Sequence, residues 1–269
     1  GASMLTDCHF HLNRIRKEEL PRVLQRAKDF GVGQIIAVGI NLESSREAVR
    51  LANFYEGVYA GVGIHPGRAH EVSEGDYDKL GDLVAANEKI VCFGEIGLDY
   101  GQEYGSGTPS RPTPPASPEV QKDVLRKQIR LSRELKMPLN VHLRRSSSRD
   151  VLDILKEEKA NEVGGILHQF MANEKVAQEM FDLGMDIGVS QFICDSRADR
   201  LRSVVKNLPF EKIVLETDGP GAQYPPETDL PSEPIHTRLV AEKLAELKGL
   251  SLTNIESITS ANTKRIFGI

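Results

Sequence analysis

The chain lacks the features that mark membrane-spanning, secreted and thiol-dependent proteins. It contains no run of roughly 18 or more apolar residues, and no charged segment followed by an apolar one opens it. The sequence therefore predicts neither a membrane span nor a secretory signal, and it indicates the cytoplasm. Only three cysteines are present, Cys8, Cys92 and Cys194, and none forms a CxxC pair. This argues against a disulfide framework or a thiolate zinc site, and buried, reduced thiols are expected.

An excess of positive charge is also missing. The formal net charge of -5 does not suggest a protein that coats nucleic acid, because extended binders carry a basic stripe. A small catalytic contact with DNA or RNA stays open, and no obligate protein partner is evident. We interpret Gly1 to Ser3 as the remnant of an expression tag and Met4 as the native start.

What the chain does have is a regular alternation of two patterns. Segments of helical period, such as Leu20 to Phe30 followed by Gly31, separate eight short apolar and β-branched runs. The runs are LTDCHFHL, QIIAVGI, VYAGVGI, KIVCFGEIG, PLNVHL, GGILHQF, MDIGVS and KIVLETD. Such alternation predicts a parallel sheet covered by helices, and eight units favour a (β/α)8 TIM-type barrel. We expect a single α/β domain over residues 4–269, with a doubly wound open sheet as the alternative.

Two later segments add detail to this pattern. Residues 101–118 hold five of the fourteen prolines and predict a long loop after the fourth strand, which either shapes substrate access or is a tolerated insertion. The segment from Pro234 to Phe267 predicts two helices. Gly249 is expected to end the first, and Ser251 or Thr253 to cap the second.

Polar side chains stand at the ends of several apolar runs, where barrel enzymes carry their catalytic groups. Side chains two apart on a strand share a side, so Asp7, His9 and His11 are expected to face the interior together. The other candidates are Glu95, His142, His168 and Asp218, after the fourth, fifth, sixth and eighth runs. Each alone is compatible with a hydrogen-bonded buried histidine or a helix-capping carboxylate.

Together these groups favour a metal centre. Four imidazoles and two carboxylates at one mouth are costly without a cation, and one or two divalent ions satisfy them all. Mixed nitrogen and oxygen ligands suit Zn, Mn, Fe or Co better than Ca, while Mg fits where waters complete the shell.

The motifs resemble those of the TatD-type deoxyribonuclease family of the metal-dependent amidohydrolase superfamily. The matching blocks are DCHFH, GIHP, GEIGLDY, PLNVHLR, the pair His168-x-Phe170, LETDGP and SEPIH, followed by the ITSANTKRIFGI ending. The resemblance implies two metal ions, one held by His9, His11 and Asp218, the other by His142 and His168, with Glu95 as the bridge. Other members of the superfamily bridge their ions with a carbamylated lysine.

The chain departs from the family pattern at a few positions. Met171 and Ala172 replace a hydroxyl residue and a glycine that commonly follow the His-x-Phe pair, and Ser232 replaces an asparagine. These changes bear on substrate preference more than on the metal site. His65 in the GIHP block has no ligand role in the family, so it is expected either to contact substrate or to be a structural histidine beside Pro66.

The expected function is phosphodiester hydrolysis on nucleic acid. The family resemblance alone implies that the substrate is DNA and that nucleotides are removed from an exposed end. Asp218 is the expected proton acceptor, and Glu95 the expected bridge between ions. Asp7 and Asp99 are expected to orient ligands, and Arg144 to grip a phosphate. Further arginines extend this cationic rim, or are solvated surface charges: Arg68, Arg197 and Arg200.

Two other functions compete with this one. The same site chemistry would hydrolyse amides, esters or lactones, including the ester of an aminoacyl-tRNA, and fold alone does not separate these reactions. The second is a non-catalytic binding module in a repair or degradation complex. Its mark would be the loss of metal ligands, and all six are present in this sequence.

Overall fold

Eight parallel strands form one sheet in sequential order in the structure, a computed structural model that describes residues 4–101 and 114–269. All eight predicted strands are confirmed. They are β1 Leu5–Phe10, β2 Val32–Val38, β3 Val58–Val62, β4 Ile90–Leu98, β5 Leu139–Leu143, β6 Gly165–Leu167, β7 Met185–Val189 and β8 Ile213–Leu215.

A helix follows every strand, and β8 is followed by two. In the described ranges the α-helices are α1 Leu20–Asp29, α2 Leu42–Phe54, α3 Gly75–Ala86, α4 Pro118–Leu135, α5 Ser148–Glu157, α6 Glu174–Asp182, α7 Asp199–Asn207, α8 Thr237–Lys248 and α9 Leu252–Phe267. Parallel neighbours in sequential order require this arrangement, because each crossover returns the chain to the same end of the sheet.

The last strand returns to the first through backbone hydrogen bonds just beyond β8. The amide of Asp218 donates to the carbonyl of His9 at 2.9 Å, and the amide of His11 donates to the carbonyl of Gly219 at 2.8 Å. The sheet is therefore a nearly closed barrel, and the doubly wound open sheet is wrong. Strand residues are buried on both faces, as expected for a barrel surrounded by helices.

Local signals place the helix ends where the sequence predicts them. Gly249 ends α8 with φ at 67°, a left-handed conformation that favours glycine, and the Ser251 hydroxyl accepts from the amide of Asn254 to cap α9. Ser251, not Thr253, is thus the cap. Phe30, which the helical pattern placed on the apolar face of the first helical segment, follows the last residue of α1 and is 54 % exposed.

Several further expectations meet the structure here. Of the predicted loop over 101–118, residues 102–113 lie outside the described residues, and α4 already begins at Pro118. Cys8 and Cys92 are buried free thiols, whereas Cys194 is only partly buried. Within the described ranges, no helix has both the length and the apolar character needed to cross a membrane.

Candidate metal centre

Glu95 lies at the centre of the predicted ligands, and its two oxygens face different histidines. It stands inside β4, not at its end as expected, and is 4 % exposed. Its Oε1 lies 3.2 Å from Nε2 of both His9 and His11. Its Oε2 lies 2.8 Å from Nδ1 of His142 and 3.1 Å from Nε2 of His168. One carboxylate thus joins two groups of imidazoles.

Asp218 completes the first of these groups. Its Oδ1 lies 3.3 Å from Nε2 of His9 and 3.2 Å from Nε2 of His11. The ligand atoms of these three residues and Glu95 all lie within 4.8 Å of one another. Two imidazole nitrogens and two carboxylate oxygens so close together form a donor set that suits a divalent ion.

His65 lies beside the second group of imidazoles, His142 and His168, although the sequence predicted for it only a substrate contact or a structural role. Its Nε2 is 3.3 Å from Oε2 of Glu95, and with Glu95 and His142 it forms a further set of donors within 4.8 Å. Its Nδ1 accepts a hydrogen bond from the amide of Gly67, so the ring is also held by the turn after β3. The fixed ring leaves Nε2 aimed at the centre of the site.

The outer nitrogens of three histidines are anchored by polar groups. Nδ1 of His11 lies 3.1 Å from the carbonyl of Val38, and Nδ1 of His9 lies 2.7 Å from Oδ1 of Asn140. A carbonyl oxygen only accepts, so the hydrogen of a neutral His11 ring resides on Nδ1 and its Nε2 presents a lone pair to the centre. Nε2 of His142 lies 3.0 Å from Oδ2 of Asp99. This contact agrees with the expectation that Asp99 orients a ligand.

The sequence did not predict a role for Glu216, which anchors the outer nitrogen of His168 as Asp99 anchors that of His142. Glu216 is completely buried, and its Oε1 lies 3.3 Å from Nδ1 of His168 and accepts from the amide of Gln169. A side chain at Gly188 would collide with this carboxylate, so glycine makes room for it. A signal was present, because Glu216 stands two residues before Asp218 in the predicted strand KIVLETD, and side chains two apart on a strand are expected to share a side.

Asp7 was expected to orient a ligand, but its carboxylate accepts hydrogen bonds from backbone amides and a hydroxyl and not from an imidazole ring. Its Oδ1 accepts from the amides of His9 at 3.2 Å and Thr217 at 3.1 Å, and its Oδ2 accepts from the Thr217 hydroxyl at 2.6 Å. Burial raises the pKa of Asp7 to about 7, against the effect of these hydrogen bonds. Asp7 therefore fixes the start of the ligand-bearing segments on β1 and after β8.

The electrostatics and the donor geometry fit a bound divalent cation. Burial lowers the pKa of His11, but the carboxylates of Asp218 and Glu95 outweigh it and raise that pKa to about 9. The carboxylates therefore favour positive charge at this place. Nδ1 of His142 is buried and near Oε2 of Glu95 yet makes no hydrogen bond with the described residues. An orphaned nitrogen aimed at a carboxylate is what a metal ligand presents.

The predicted arginine rim is only partly assembled beside this centre. Arg144 lies with its Nε 3.8 Å from Oδ2 of Asp99 and lines a cleft together with Arg197 and Arg200. Arg68 lies outside that cleft and pairs with Glu71 at 2.9 Å.

Comparisons with known proteins point to one family. Residues 6–268 match the model of the family described as TatD related DNase. The chain is 35% identical over 267 residues to an uncharacterized metal-dependent hydrolase, YabD, of Bacillus subtilis, covering 99% of this chain and all of that protein. It is 30% identical over 252 residues to a Klebsiella pneumoniae protein named 3'-5' ssDNA/RNA exonuclease TatD, covering 92% of this chain and 91% of that one.

A solved structure agrees with the sequence matches. The fold superposes on the crystal structure of YJJV, a TatD homologue from Escherichia coli, with a TM-score of 0.86 at 28% identity, covering 98% of each chain. The expected resemblance, the barrel and the hydrolase class are thereby confirmed. The chain is a metal-dependent hydrolase and belongs to the TatD-related DNase family.

Proposed function

We propose that this protein hydrolyses phosphodiester bonds of DNA and removes nucleotides from an exposed end, with two divalent ions at the centre of the barrel mouth. The observation that carries the proposal is the placement of Glu95, because its two carboxylate oxygens face two separate groups of imidazoles. The family description as a DNase and the exonuclease name of the Klebsiella relative support the substrate class.

The proposed ligands divide as the two oxygens of Glu95 do. His9, His11 and Asp218 would hold one ion with Oε1 of Glu95. Around Oε2, His142 and His168 would hold the other, with His65 near enough to assist. The nitrogen-rich set favours Zn, Mn, Fe or Co over Ca, and Mg where waters complete the shell.

Divalent ions held here would polarise a phosphoryl oxygen and lower the pKa of water. The chain supplies the remaining functions. Burial raises the pKa of Asp218, but the imidazoles of His11 and His9 outweigh it and hold that pKa well below its usual range, so the carboxylate is ionised. We assign it the proton of the attacking water because of its place among the proposed ligands, 3.2 Å from Nε2 of His11. Arg144 stands beside the second group of histidines, where a guanidinium can bind a phosphate oxygen through two hydrogen bonds.

The test is nuclease activity on end-labelled single-stranded and double-stranded DNA after the metal is removed and then restored stepwise. We expect activity to vanish with a chelator and to return as the second equivalent of metal is added. A protein that keeps full activity after complete removal of metal, or that cleaves no DNA when fully loaded, would contradict the proposal.

A substrate panel separates this reaction from carbonyl hydrolysis. Small esters, lactones and an ester-linked aminoacyl-tRNA are compared with a DNA oligonucleotide under the same metal-loaded conditions. We expect turnover of the oligonucleotide to exceed that of every carbonyl substrate. Turnover of a carbonyl substrate but not of the oligonucleotide would show that the protein is an amide, ester or lactone hydrolase. Binding of the oligonucleotide without turnover of any substrate would favour the non-catalytic binding module.

A further inference from the structure

A groove lies on the outer wall of the barrel, away from the proposed metal centre. It has a volume of about 270 Å³ and runs between α1 and the first residues of β2 and β3. We call it the outer groove. His11 of the metal centre contacts Val38, the last residue of β2, whereas Val32, the first residue of that strand, lines the groove. The two sites therefore lie toward opposite ends of the strands.

The outer groove combines an apolar lining with two charges that have no partner. The apolar part consists of Leu24, Val32, Ile35, Tyr55 and Val58. Lys28, in the last turn of α1, and Glu56, between α2 and β3, also line the groove, and both are exposed. Neither forms an ion pair with any part of the chain that the structure describes. The groove thus offers one cation and one acid to whatever covers it.

The most exposed large apolar side chain among the described residues stands beside the outer groove. Phe54, the last residue of α2, is 72 % exposed, and its ring centroid lies 4.8 Å from that of Tyr55, which lines the groove. Phe30, two residues beyond Lys28, continues the exposed apolar surface. A cavity of roughly 150 Å³ holds a benzene ring, so the larger outer groove has room for a phenyl group.

We propose that two copies of this chain pair through the outer groove about a twofold axis. The ring of Phe54 of each copy enters the groove of the other copy, and Lys28 of each copy faces Glu56 of the other. In a twofold interface every contact occurs twice, so one protruding ring, one groove and one pair of opposite charges satisfy both copies. Both barrel mouths stay open to substrate, since the groove lies toward the other end of the strands.

The charges favour a second copy over another kind of partner. A strongly acidic partner would meet Glu56, and a strongly basic one would meet Lys28, so either would place like charges together. A second copy meets each charge with its opposite. The ring of Phe54, which water surrounds in the single chain, would become buried in the same step.

Phe54→Glu tests the apolar contact. Light scattering coupled to size-exclusion chromatography, over a series of concentrations, gives the dissociation constant of the metal-loaded dimer. We expect this constant to rise about 100-fold or more, because an aromatic side chain in a pocket is typically a binding hot spot and each dimer contains two. Leu230→Glu is the matched control, because Leu230 is 59 % exposed but does not line the groove. It should leave the dimer unchanged.

Lys28→Glu and Glu56→Lys test the charge pairing and the twofold axis together. In a dimer of either variant, like charges face each other twice, so the dissociation constant should rise about 10-fold. In an equimolar mixture of the two variants, both contacts again join opposite charges. We therefore expect mixed dimers with nearly the affinity of the wild type, detected by native mass spectrometry with one chain isotopically labelled.

Three outcomes overturn the proposal. A wild type that stays monomeric at roughly 100 μM shows that the groove does not join two copies and serves a different ligand. A dimer that withstands Phe54→Glu and both charge variants uses another surface. Charge variants that dissociate but do not recombine on mixing exclude the pairing of Lys28 with Glu56. None of these measurements depends on nuclease activity, so their failure leaves the proposed function untouched.

Discussion

Oε1 of Glu216 lies 3.3 Å from Nδ1 of His168, and both side chains are buried at the mouth of the barrel. A carboxylate behind a metal-binding imidazole fixes the ring and raises its basicity, and removing such a partner costs about 10–100-fold in metal affinity. We expect that loss for Glu216→Gln, measured by metal titration. Glu88→Gln, at an exposed position, is the control. Unchanged affinity in Glu216→Gln would show that this contact does not support the ligand.

Glu95→Ala should remove most activity and weaken the binding of both ions, because one carboxylate faces both groups of histidines. The metal content per chain after dialysis, measured by inductively coupled plasma mass spectrometry, checks the loss of both ions. Two tightly held ions per chain in Glu95→Ala would exclude the bridging role.

His65→Ala provides a graded comparison with that variant. From the sequence alone we expect its metal content to stay intact, but its Nε2 lies 3.3 Å from Oε2 of Glu95. The structure therefore changes the expectation to a weaker second ion with the first ion retained. Loss of both ions in this variant would contradict the division into two groups.

Asp218→Asn keeps the size of the side chain but removes the proposed proton acceptor. Turnover should fall by about 100-fold or more while the barrel stays folded. Steady-state kinetics together with a thermal melt distinguish a chemical defect from an unfolded protein. Near-normal turnover would rule out Asp218 as the essential base.

Arg144→Ala should weaken DNA hydrolysis by about 1–3 kcal/mol of transition-state stabilisation and leave hydrolysis of a small neutral ester nearly unchanged. The reason is that an ester offers no anionic oxygen to the guanidinium. The ratio of kcat/KM values on the two substrates is the measurement. An equal loss on both would indicate that Arg144 acts by positioning Asp99, whose Oδ2 is 3.8 Å from its Nε.

Asp7→Ala tests the stability of the fold rather than the chemistry. It would leave the Thr217 hydroxyl and two backbone amides buried without their acceptor. At about 1–3 kcal/mol for each such group, the free energy of unfolding should fall by about 3 kcal/mol or more. Urea unfolding in the presence of a chelator measures this without a contribution from metal. Asp7→Asn, which keeps an acceptor oxygen, should lose less.

The sequence predicts the barrel well because its strands are short, β-branched and buried on both faces. Such runs differ sharply from the helical segments between them, so β6 and β8 were located although each spans only three residues. Polar residues at the ends of apolar runs also indicate His142 and His168, which the structure brings together at Oε2 of Glu95. Periodicity did not predict the exposure of Phe30, since it places this residue on the apolar face of α1.

What the sequence does not predict depends on how distant segments meet. Glu216 reads as the polar end of a strand, and only the fold places it behind His168. One cleft is lined by segments around Arg144, Met171 and Arg200, each separated from the next by more than two dozen residues. The spacing of residues along the chain carries no information about such a convergence.

The backbone bonds between β1 and the segment after β8 have a consequence for cooperativity. His9 and His11 lie on one side of this closure and Asp218 on the other, and the amide of Asp218 itself bonds to the carbonyl of His9. An ion held by these three residues would bind only the closed form, so its binding free energy would add to the cost of separating the first strand from the last. Local opening of the barrel and release of that ion would then be one thermodynamic event, and the exchange rate of the Asp218 amide with solvent would report on both.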